Sequence, residues 1–278
     1  MNPKQLLDQY AIAPKKSLGQ NFLHDPNTLE KIASLAELTR EDTVLEIGPG
    51  TGALTEVLAR HAGRVIAVEV DARLQPLLEE RFAAYPHVEL VFEDILNAHY
   101  PALTGDNYVV VANVPYYITS AILRRLLETE PRPRRLVMTV QVEVAERLVA
   151  APGEMSLLSV SAQFYGKPQI VARLSPAAFY PRPEVSSAVV RIDLHPKPPV
   201  DVPDEELFFH VVSAGFGQKR KQLKNSLSSG LALSHAAAAD LLVRAGVNPM
   251  RRAETLTLEE WAAITRLFAA QDARLFVQ

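Results

Sequence analysis

Short apolar runs that stop at glycine or a polar residue alternate, through the first two thirds of the chain, with stretches whose apolar residues recur at helical spacing. Thr43-Val44-Leu45-Glu46-Ile47 is the first clear β-rich run; it ends at Gly48, and Ala53 to His61 continues at helical spacing. Val65–Val70, Val88–Phe92, Tyr108–Ala112 and Leu136–Gln141 predict four further strands. Helices are expected at about Ala72–Ala84, Ser120–Glu128 and Glu143–Ala150. Alternation of this kind predicts an α/β fold, a parallel sheet with helices on both faces and its chemistry at the carboxyl ends of the strands.

The pattern changes after residue 168. Gln169–Leu174 and Ser186–Leu194 read as two strands joined by a proline-rich loop without a crossover helix, which predicts an antiparallel pair at the sheet edge. His195-Pro-Lys-Pro-Pro-Val-Asp-Val-Pro203 is a stiff linker, and a domain boundary is expected there, with residues 1–198 on one side and a small all-α domain, 199–278, on the other. Four helices are expected in that domain: Asp204–Phe216, Lys219–Ser228, Ser234–Ala245 and Thr257–Ala270. The last is opened by a capping box, Thr257-x-x-Glu260.

Composition narrows the chemistry. The chain has 278 residues and no cysteine, which excludes thiolate nucleophiles, disulfides and thiolate metal sites. Seven histidines show no ligand spacing, so no metal is expected. The zinc deaminases, which need a His/Cys/Cys set, are excluded with it. The opening twenty residues lack the apolar stretch of a leader and nothing approaches a membrane span, so a cytoplasmic, monomeric soluble protein without membrane partners is the expectation. A formal net charge of −3 argues against indiscriminate coating of nucleic acid, but four basic residues, Lys219, Arg220, Lys221 and Lys224, fall within six positions. By itself such a run also reads as a solvated surface; beside a base pocket it becomes a phosphate track, with Arg124, Arg125, Arg132, Arg134 and Arg135 as its extension and Lys15 and Lys16 as a further pair.

Glu46-Ile47-Gly48-Pro49-Gly50-Thr51-Gly52-Ala53 stands at a strand-to-helix turn, where glycines let the backbone approach a nucleotide. Gly48, Gly50 and Ala53 also satisfy the dinucleotide pattern G-x-G-x-x-[GA], so a nicotinamide or flavin dinucleotide fits the string as well. Glu69 would accept from ribose hydroxyls under either reading. Two features then separate the readings. Asp94, after the third strand, can accept from an adenine amino group. Asn113-Val114-Pro115-Tyr116, after the fourth, combines a side-chain amide oxygen, a carbonyl beside Pro115 and an aromatic face, the means to hold an exocyclic amine and favour its pyramidal, nucleophilic form. The same four residues also read as a turn after a strand.

Lys16-Ser-Leu-Gly-Gln20-Asn21-Phe22-Leu23, the glycine string, Glu69, Asp94, Asn113-Val-Pro-Tyr116, Ser175-Pro-x-x-Phe179-x-Pro181-x-Pro183-x-Val185 and Phe216-x-x-Lys219-Arg-Lys221-x-Leu-x-Asn225-x-Leu227, in this order, resemble the ribosomal RNA adenine dimethyltransferases, small-subunit branch. The resemblance runs from about residue 15 to 230. It implies a Rossmann-like class I methyltransferase sheet with S-adenosylmethionine as methyl donor. Gln20, Asn21 and Leu23 would come from a segment folded over the cofactor, Gly48 and Gly50 would lie against its methionine part, Glu69 would hold the ribose and Asp94 the adenine amine. Asn113 would lie between cofactor and target base, with Tyr116 and Phe179 on opposite faces of that base. Phe179 has a second reading, an aromatic that covers the sheet edge. The family commonly continues N-L-P-Y-N, whereas this chain has Val114 and Tyr117, which leaves the role of Tyr117 open. The implied activity is N6,N6-dimethylation of two adjacent adenosines in a terminal hairpin of small-subunit ribosomal RNA, with the immature subunit as partner. An RNA-binding assembly factor and a large-subunit ribosomal RNA methyltransferase are the alternatives.

Overall fold

In the computed structural model, which describes residues 3–275 and side chains as far as residue 270, the chain forms two compact units. Residues 1–146 and 167–194 make the first, and residues 147–166 and 195–278 the second. Met1, Asn2 and residues 276–278, the outer ends of the two expected domains, lie outside the described residues.

The first unit opens with α1 (Pro3–Gln9), β1 (Phe22–Leu23) and α2 (Pro26–Ala36). It continues through β2 (Thr43–Ile47), α3 (Ala53–His61), β3 (Arg64–Glu69), α4 (Gln75–Phe82), β4 (Val88–Phe92), α5 (Pro101–Thr104), β5 (Tyr108–Asn113), α6 (Thr119–Glu128), β6 (Arg135–Gln141) and α7 (Val142–Leu148). Seven strands make one sheet in the order β4-β3-β2-β5-β6-β9-β7, where β7 is Gly166–Leu174 and β9 is Ser187–Leu194. Strands β2 to β6 run parallel to one another, and β9 runs antiparallel to β6. This is the α/β sheet expected from the alternation, and the two late strands are neighbours at its edge.

The central strands form because their runs are β-branched and apolar without interruption, as a sheet covered on both faces requires. In β5 five successive residues, Tyr108 to Ala112, are buried. α2 starts where Asp25 accepts from the Thr28 amide at 2.8 Å and Pro26 occupies the first turn. Its Leu29 and Ile32, with Val57 and Leu58 of α3, pack over Val109 and Val137 of the sheet. A smaller cluster joins Leu7 and Ile12 near the N-terminus to Leu74, Leu78 and Phe82.

A second, two-stranded sheet pairs β1 with β8 (Phe179–Tyr180), antiparallel, with Leu23 opposite Phe179 and Phe22 opposite Tyr180. Side chains alternate along a strand, so the two pairs go to different places. Leu23 and Phe179 enter the core beside the main sheet, while Phe22 and Tyr180 join the cluster around Phe82.

The second unit holds α8 (Leu157–Tyr165), α9 (Glu205–Phe216), α10 (Leu223–Gly230), α11 (His235–Arg244) and α12 (Leu258–Leu275). The expected division after residue 198 leaves 147–166 with the sheet; the structure groups that segment with the C-terminal helices. The reason is aromatic packing: Phe164 stacks on Phe208 at 4.7 Å and Tyr165 on Phe209 at 5.5 Å. The capping box of the last helix is present, with Glu260 N–H donating to Thr257 Oγ1 and Thr257 N–H to Glu260 Oε2. The expected helix 219–228 is displaced: Lys219, Arg220 and Lys221 lie in an exposed turn, and α10 begins at Leu223. No single helix among the described residues is long and apolar enough to cross a bilayer.

Gly215 faces Trp261, which is fully buried and the only tryptophan of the chain. A Cβ at 215 would lie 2.3 Å from the indole ring. Gly215→Ala is expected to destabilise the helical unit by about 1–3 kcal/mol, the usual cost of overpacking. Urea denaturation followed by Trp261 fluorescence measures this, and an unchanged midpoint would show that the indole has room to move.

Candidate active site

Four parallel strands deliver their carboxyl ends to one edge. Ile47 pairs with Val68 and with Ala112, Glu69 with Phe92, and Asn113 with Thr139. The loops that leave these ends line a cavity of about 310 Å³, together with residues 18–23 of the N-terminal segment. Gln20, Asn21, Leu23, Gly48, Gly50, Glu69, Asp94, Asn113 and Tyr116 are all brought to its walls, as the sequence reading expects.

The glycine string turns sharply: Gly48, Gly50 and Gly52 have φ of 74°, 57° and 78°. Only glycine adopts such values without strain. At Gly50 a Cβ would also collide with the Phe22 ring at 2.7 Å, so the loop and the N-terminal segment approach backbone to ring. Glu69, nearly fully buried, ties two loops together: Oε2 accepts from Gly50 N–H at 3.0 Å and Oε1 from Asp71 N–H at 2.9 Å. Burial holds its carboxyl above the ordinary range despite these bonds. Each oxygen keeps a lone pair, enough for the two hydroxyls of a ribose.

The N-terminal segment is held down at its far end by Asp71. Its Oδ2 accepts from Gln20 Nε2 at 2.7 Å and from Arg73 at 2.6 Å, and Arg73 also reaches the Ala13 carbonyl. Burial raises the Asp71 carboxyl, but these donors outweigh it and leave the group below the usual range. Gln20 is thus a tether: its other end accepts from Lys15 N–H. Asp94 spends Oδ1 on the Leu96 N–H at 2.9 Å, and it remains half-buried at the cavity wall. A set of glycine backbone, the buried acceptor Glu69 and the half-free acceptor Asp94 fits a nucleoside with a small chain attached, the outline of S-adenosylmethionine.

Asn113 closes the fourth strand. Its Nδ2 donates to the Asn21 carbonyl at 3.2 Å, which leaves Oδ1 without a donor among the described residues. The Pro115 carbonyl accepts from Ile118 N–H and Thr119 Oγ1, so the acceptor beside Pro115 that stays available is the Val114 carbonyl. Tyr116 stands half-buried at the wall with its hydroxyl 2.6 Å from Ser187 Oγ on β9, and burial pushes its phenol pKa up. That anchor was not foreseen from the sequence; the signal available was Ser187 directly before the apolar run Ala188–Val190.

Phe179 is not brought to the cavity. It is 2% exposed, pairs across β1 with Leu23 and belongs to the core, because the β1–β8 register directs its ring inward. In this structure the ring has the covering role, and Phe179 is not among the residues that line the cavity. Each of the five arginines has a partner within the protein. Arg124 pairs with Glu128, Arg132 with Glu130, Arg134 with Asp42 and Arg135 with Asp193 and Glu37, while Arg125 donates to the Ala98 carbonyl. Arg134 and Arg135 bridge separate elements, whereas Arg124, 76% exposed, pairs within α6. Lys219, Arg220 and Lys221 are exposed in their turn, and Lys224 is half-buried in α10. Among the described residues no three His, Asp or Glu side chains converge as a metal-binding group.

One acid went without a role in the sequence reading. Glu46, in the middle of an apolar strand, is 1% exposed, and no donor reaches either oxygen. Thr55 lies beside it short of hydrogen-bond geometry. Burial, with the Glu69 charge added, pushes its carboxyl up to about 8. An acid flanked by Leu45 and Ile47 is the signal that could have marked it.

The profile of the family described as ribosomal RNA adenine dimethylase matches residues 12–270. The ribosomal RNA small subunit methyltransferase A of Dehalococcoides mccartyi is 45% identical over 267 residues, which are 95% of this chain and 92% of the relative. Among solved structures, the 23S rRNA methyltransferase ErmE is 30% identical with a TM-score of 0.72, covering 90% of this chain and all of that one. A dimethyladenosine transferase from Plasmodium falciparum has the same fold, with a TM-score of 0.79 at 23% identity over 90% of this chain and 98% of its own.

Two outcomes check this geometry. Phe179→Ala should cost about 3–5 kcal/mol of stability, the range for a core phenylalanine, in chemical denaturation; a stable variant would return the ring to the cavity. For Glu46, the folded state keeps a proton that the unfolded chain releases, so stability falls as pH rises from the ordinary carboxylate range to about 8. Glu46→Gln should flatten that decline in unfolding midpoints measured against pH, and parallel curves would show that Glu46 is charged in the fold.

Proposed function

The chain belongs to the ribosomal RNA adenine dimethylase family, and from that premise we infer that it methylates N6 of adenosine in small-subunit ribosomal RNA, two adjacent adenosines of a terminal hairpin, during maturation of the subunit. It is an S-adenosylmethionine-dependent enzyme. Identity of 45% with a small-subunit methyltransferase, against 30% with a 23S enzyme, favours the small subunit over the large. The intact pairing of a cofactor cradle with an acceptor motif favours catalysis over a purely binding role.

The observation that carries the reading is the amide of Asn113. With Nδ2 committed to Asn21, Oδ1 is left to accept from an incoming amine, and the Val114 carbonyl supplies a second acceptor. Two acceptors on one NH2 group favour its pyramidal form and keep its lone pair out of the ring. S-adenosylmethionine supplies an electrophilic methyl group whose thioether leaves without protonation. Gly48 and Gly50 would receive its methionine end, Glu69 its ribose, Asp94 its adenine, with Gln20, Asn21 and Leu23 closing over it. Tyr116, braced by Ser187, offers its ring to the target base. Positioning of the amine about 3 Å from the carbon accounts for on the order of 7–11 kcal/mol of barrier. The exposed Lys219, Arg220 and Lys221, with Lys224, would meet phosphates. The compartment we assign is the cytoplasm, where ribosomal subunits are assembled, and the unit of action a monomer.

Asn113→Ala should lose turnover by 100-fold or more, on the order of one preorganised hydrogen bond to the reacting centre, with cofactor affinity within a few-fold of wild type. Label transfer from radioactive S-adenosylmethionine to isolated small and large ribosomal subunits, followed by mapping of the modified bases, tests substrate and residue together. Label confined to large-subunit RNA, or a fully active Asn113→Ala, would defeat the corresponding part.

A further inference from the structure

The 3-10 turn Tyr116–Ile118 carries two consecutive aromatic side chains in opposite environments. Tyr116 is half-buried and bonded to Ser187, whereas Tyr117 is 64% exposed and forms no hydrogen bond among the described residues. Both line the same cavity. With three residues per turn, neighbouring side chains of such a turn point about 120° apart. One base therefore cannot lie against both rings.

Tyr117 has a prepared seat. Its ring lies over Gly19, where an added Cβ would stand in ordinary contact, 3.4 Å from Cδ1 and 3.5 Å from Cε1, and the φ of 56° at Gly19 selects glycine. The segment just before Gly19 carries Lys15 and Lys16, both exposed, and neither ammonium is ion-paired among the described residues. Tyr117 also has company. Among the described residues six large apolar side chains are exposed, and two of them, Tyr117 and the 51% exposed Val70, line this one cavity. An exposed ring on the wall of a base pocket, with two exposed cations three and four residues before the Gly19 that it packs on, supplies the components of a single-strand nucleic-acid platform.

We propose that Tyr117 stacks on a second nucleobase, the strand neighbour of the methylated adenine, with Lys15 and Lys16 supplying charge for the phosphates alongside. This rests on the reading of the chain as an RNA adenine methyltransferase. A base that leaves its stack for the cavity strips its neighbour of a partner. Tyr117 returns a stacking face to that neighbour, and Tyr116 keeps the target. In a substrate with two adjacent adenosines the neighbour is itself a purine, which has the larger face to stack.

The test uses a short hairpin of small-subunit ribosomal RNA with its two adjacent adenosines, and versions in which the nucleotide 5′ or 3′ of the target is abasic. Tyr117→Ala should weaken binding of the intact hairpin about 5- to 150-fold, the equivalent of one base–aromatic stack, while Tyr117→Phe binds as wild type and cofactor affinity is the same in all three. One of the two abasic hairpins should lose affinity for wild type by the same factor and none for Tyr117→Ala, and which one does so gives the strand direction. Equal loss by wild type and Tyr117→Ala on both abasic hairpins, or unchanged binding of the intact hairpin by Tyr117→Ala, would overturn the proposal. A fall in melting temperature of Tyr117→Ala without any change in base dependence would reassign the ring to packing on Gly19. Wild type that methylates no adenosine in RNA would instead remove the reading beneath the proposal, a result separable from all of these.

Discussion

The site depends on a backbone constraint: β2, β3, β4 and β5 are hydrogen-bonded in parallel and stop at nearly the same level. Parallel pairing fixes direction and register at once, so the residues that follow each strand must emerge side by side. Gly48, Glu69, Asp94 and Asn113 are brought together for that reason, although they are widely spaced in sequence. Glu69 then locks the level of two strands by accepting from Gly50 and Asp71. Nothing about the individual side chains would place them within one cavity without that shared edge.

On this edge the N-terminal segment acts as a third wall. It is fastened at three points of different chemistry: an ion-paired aspartate through Gln20, an aromatic ring pressed on glycine through Phe22, and a backbone carbonyl through Asn21. The last of these binds the amide of Asn113. The segment that would close over the cofactor therefore also sets the rotamer of the residue that would receive the target amine. Cofactor cradle and acceptor motif share one hydrogen bond, which makes the orientation of Asn113 a property of the closed segment.

The sheet was legible because its strands are uninterrupted apolar runs, as doubly covered parallel strands must be. The cavity was legible because glycine, Glu69, Asp94 and Asn113 stand at the ends of those runs. What stayed hidden has physical causes. α2 and α8 escaped notice; Leu157-Leu-Ser-Val-Ser-Ala-Gln-Phe-Tyr165 mixes apolar, β-branched and aromatic residues without a clear period, and its helix is started by Ser156 and Ser159 capping one another. The burial of Phe179 stayed hidden because motif order says nothing about which face of a two-residue strand points inward, and the pairing of Leu23 with Phe179 decides that. The partners of the arginines of 124–135 stayed hidden because charge counted along a chain omits the carboxylates and carbonyls that the fold brings to them. Glu46 was passed over because a buried acid leaves no trace beyond its oddity in an apolar strand.

The helical unit has its first piece, residues 147–166, inserted between two strands of the sheet, and the rest after residue 194. Synthesis proceeds from the N-terminus at about 5–20 residues per second. Phe164 and Tyr165 therefore leave the ribosome seconds before Phe208 and Phe209, the rings they stack on, exist. During that interval the chain adds the antiparallel edge to its sheet while the rings of α8 lack the partners they stack on in the finished fold. A stretch so exposed is a natural point for chaperone capture, and codon choice downstream of residue 166 would set how long the exposure lasts.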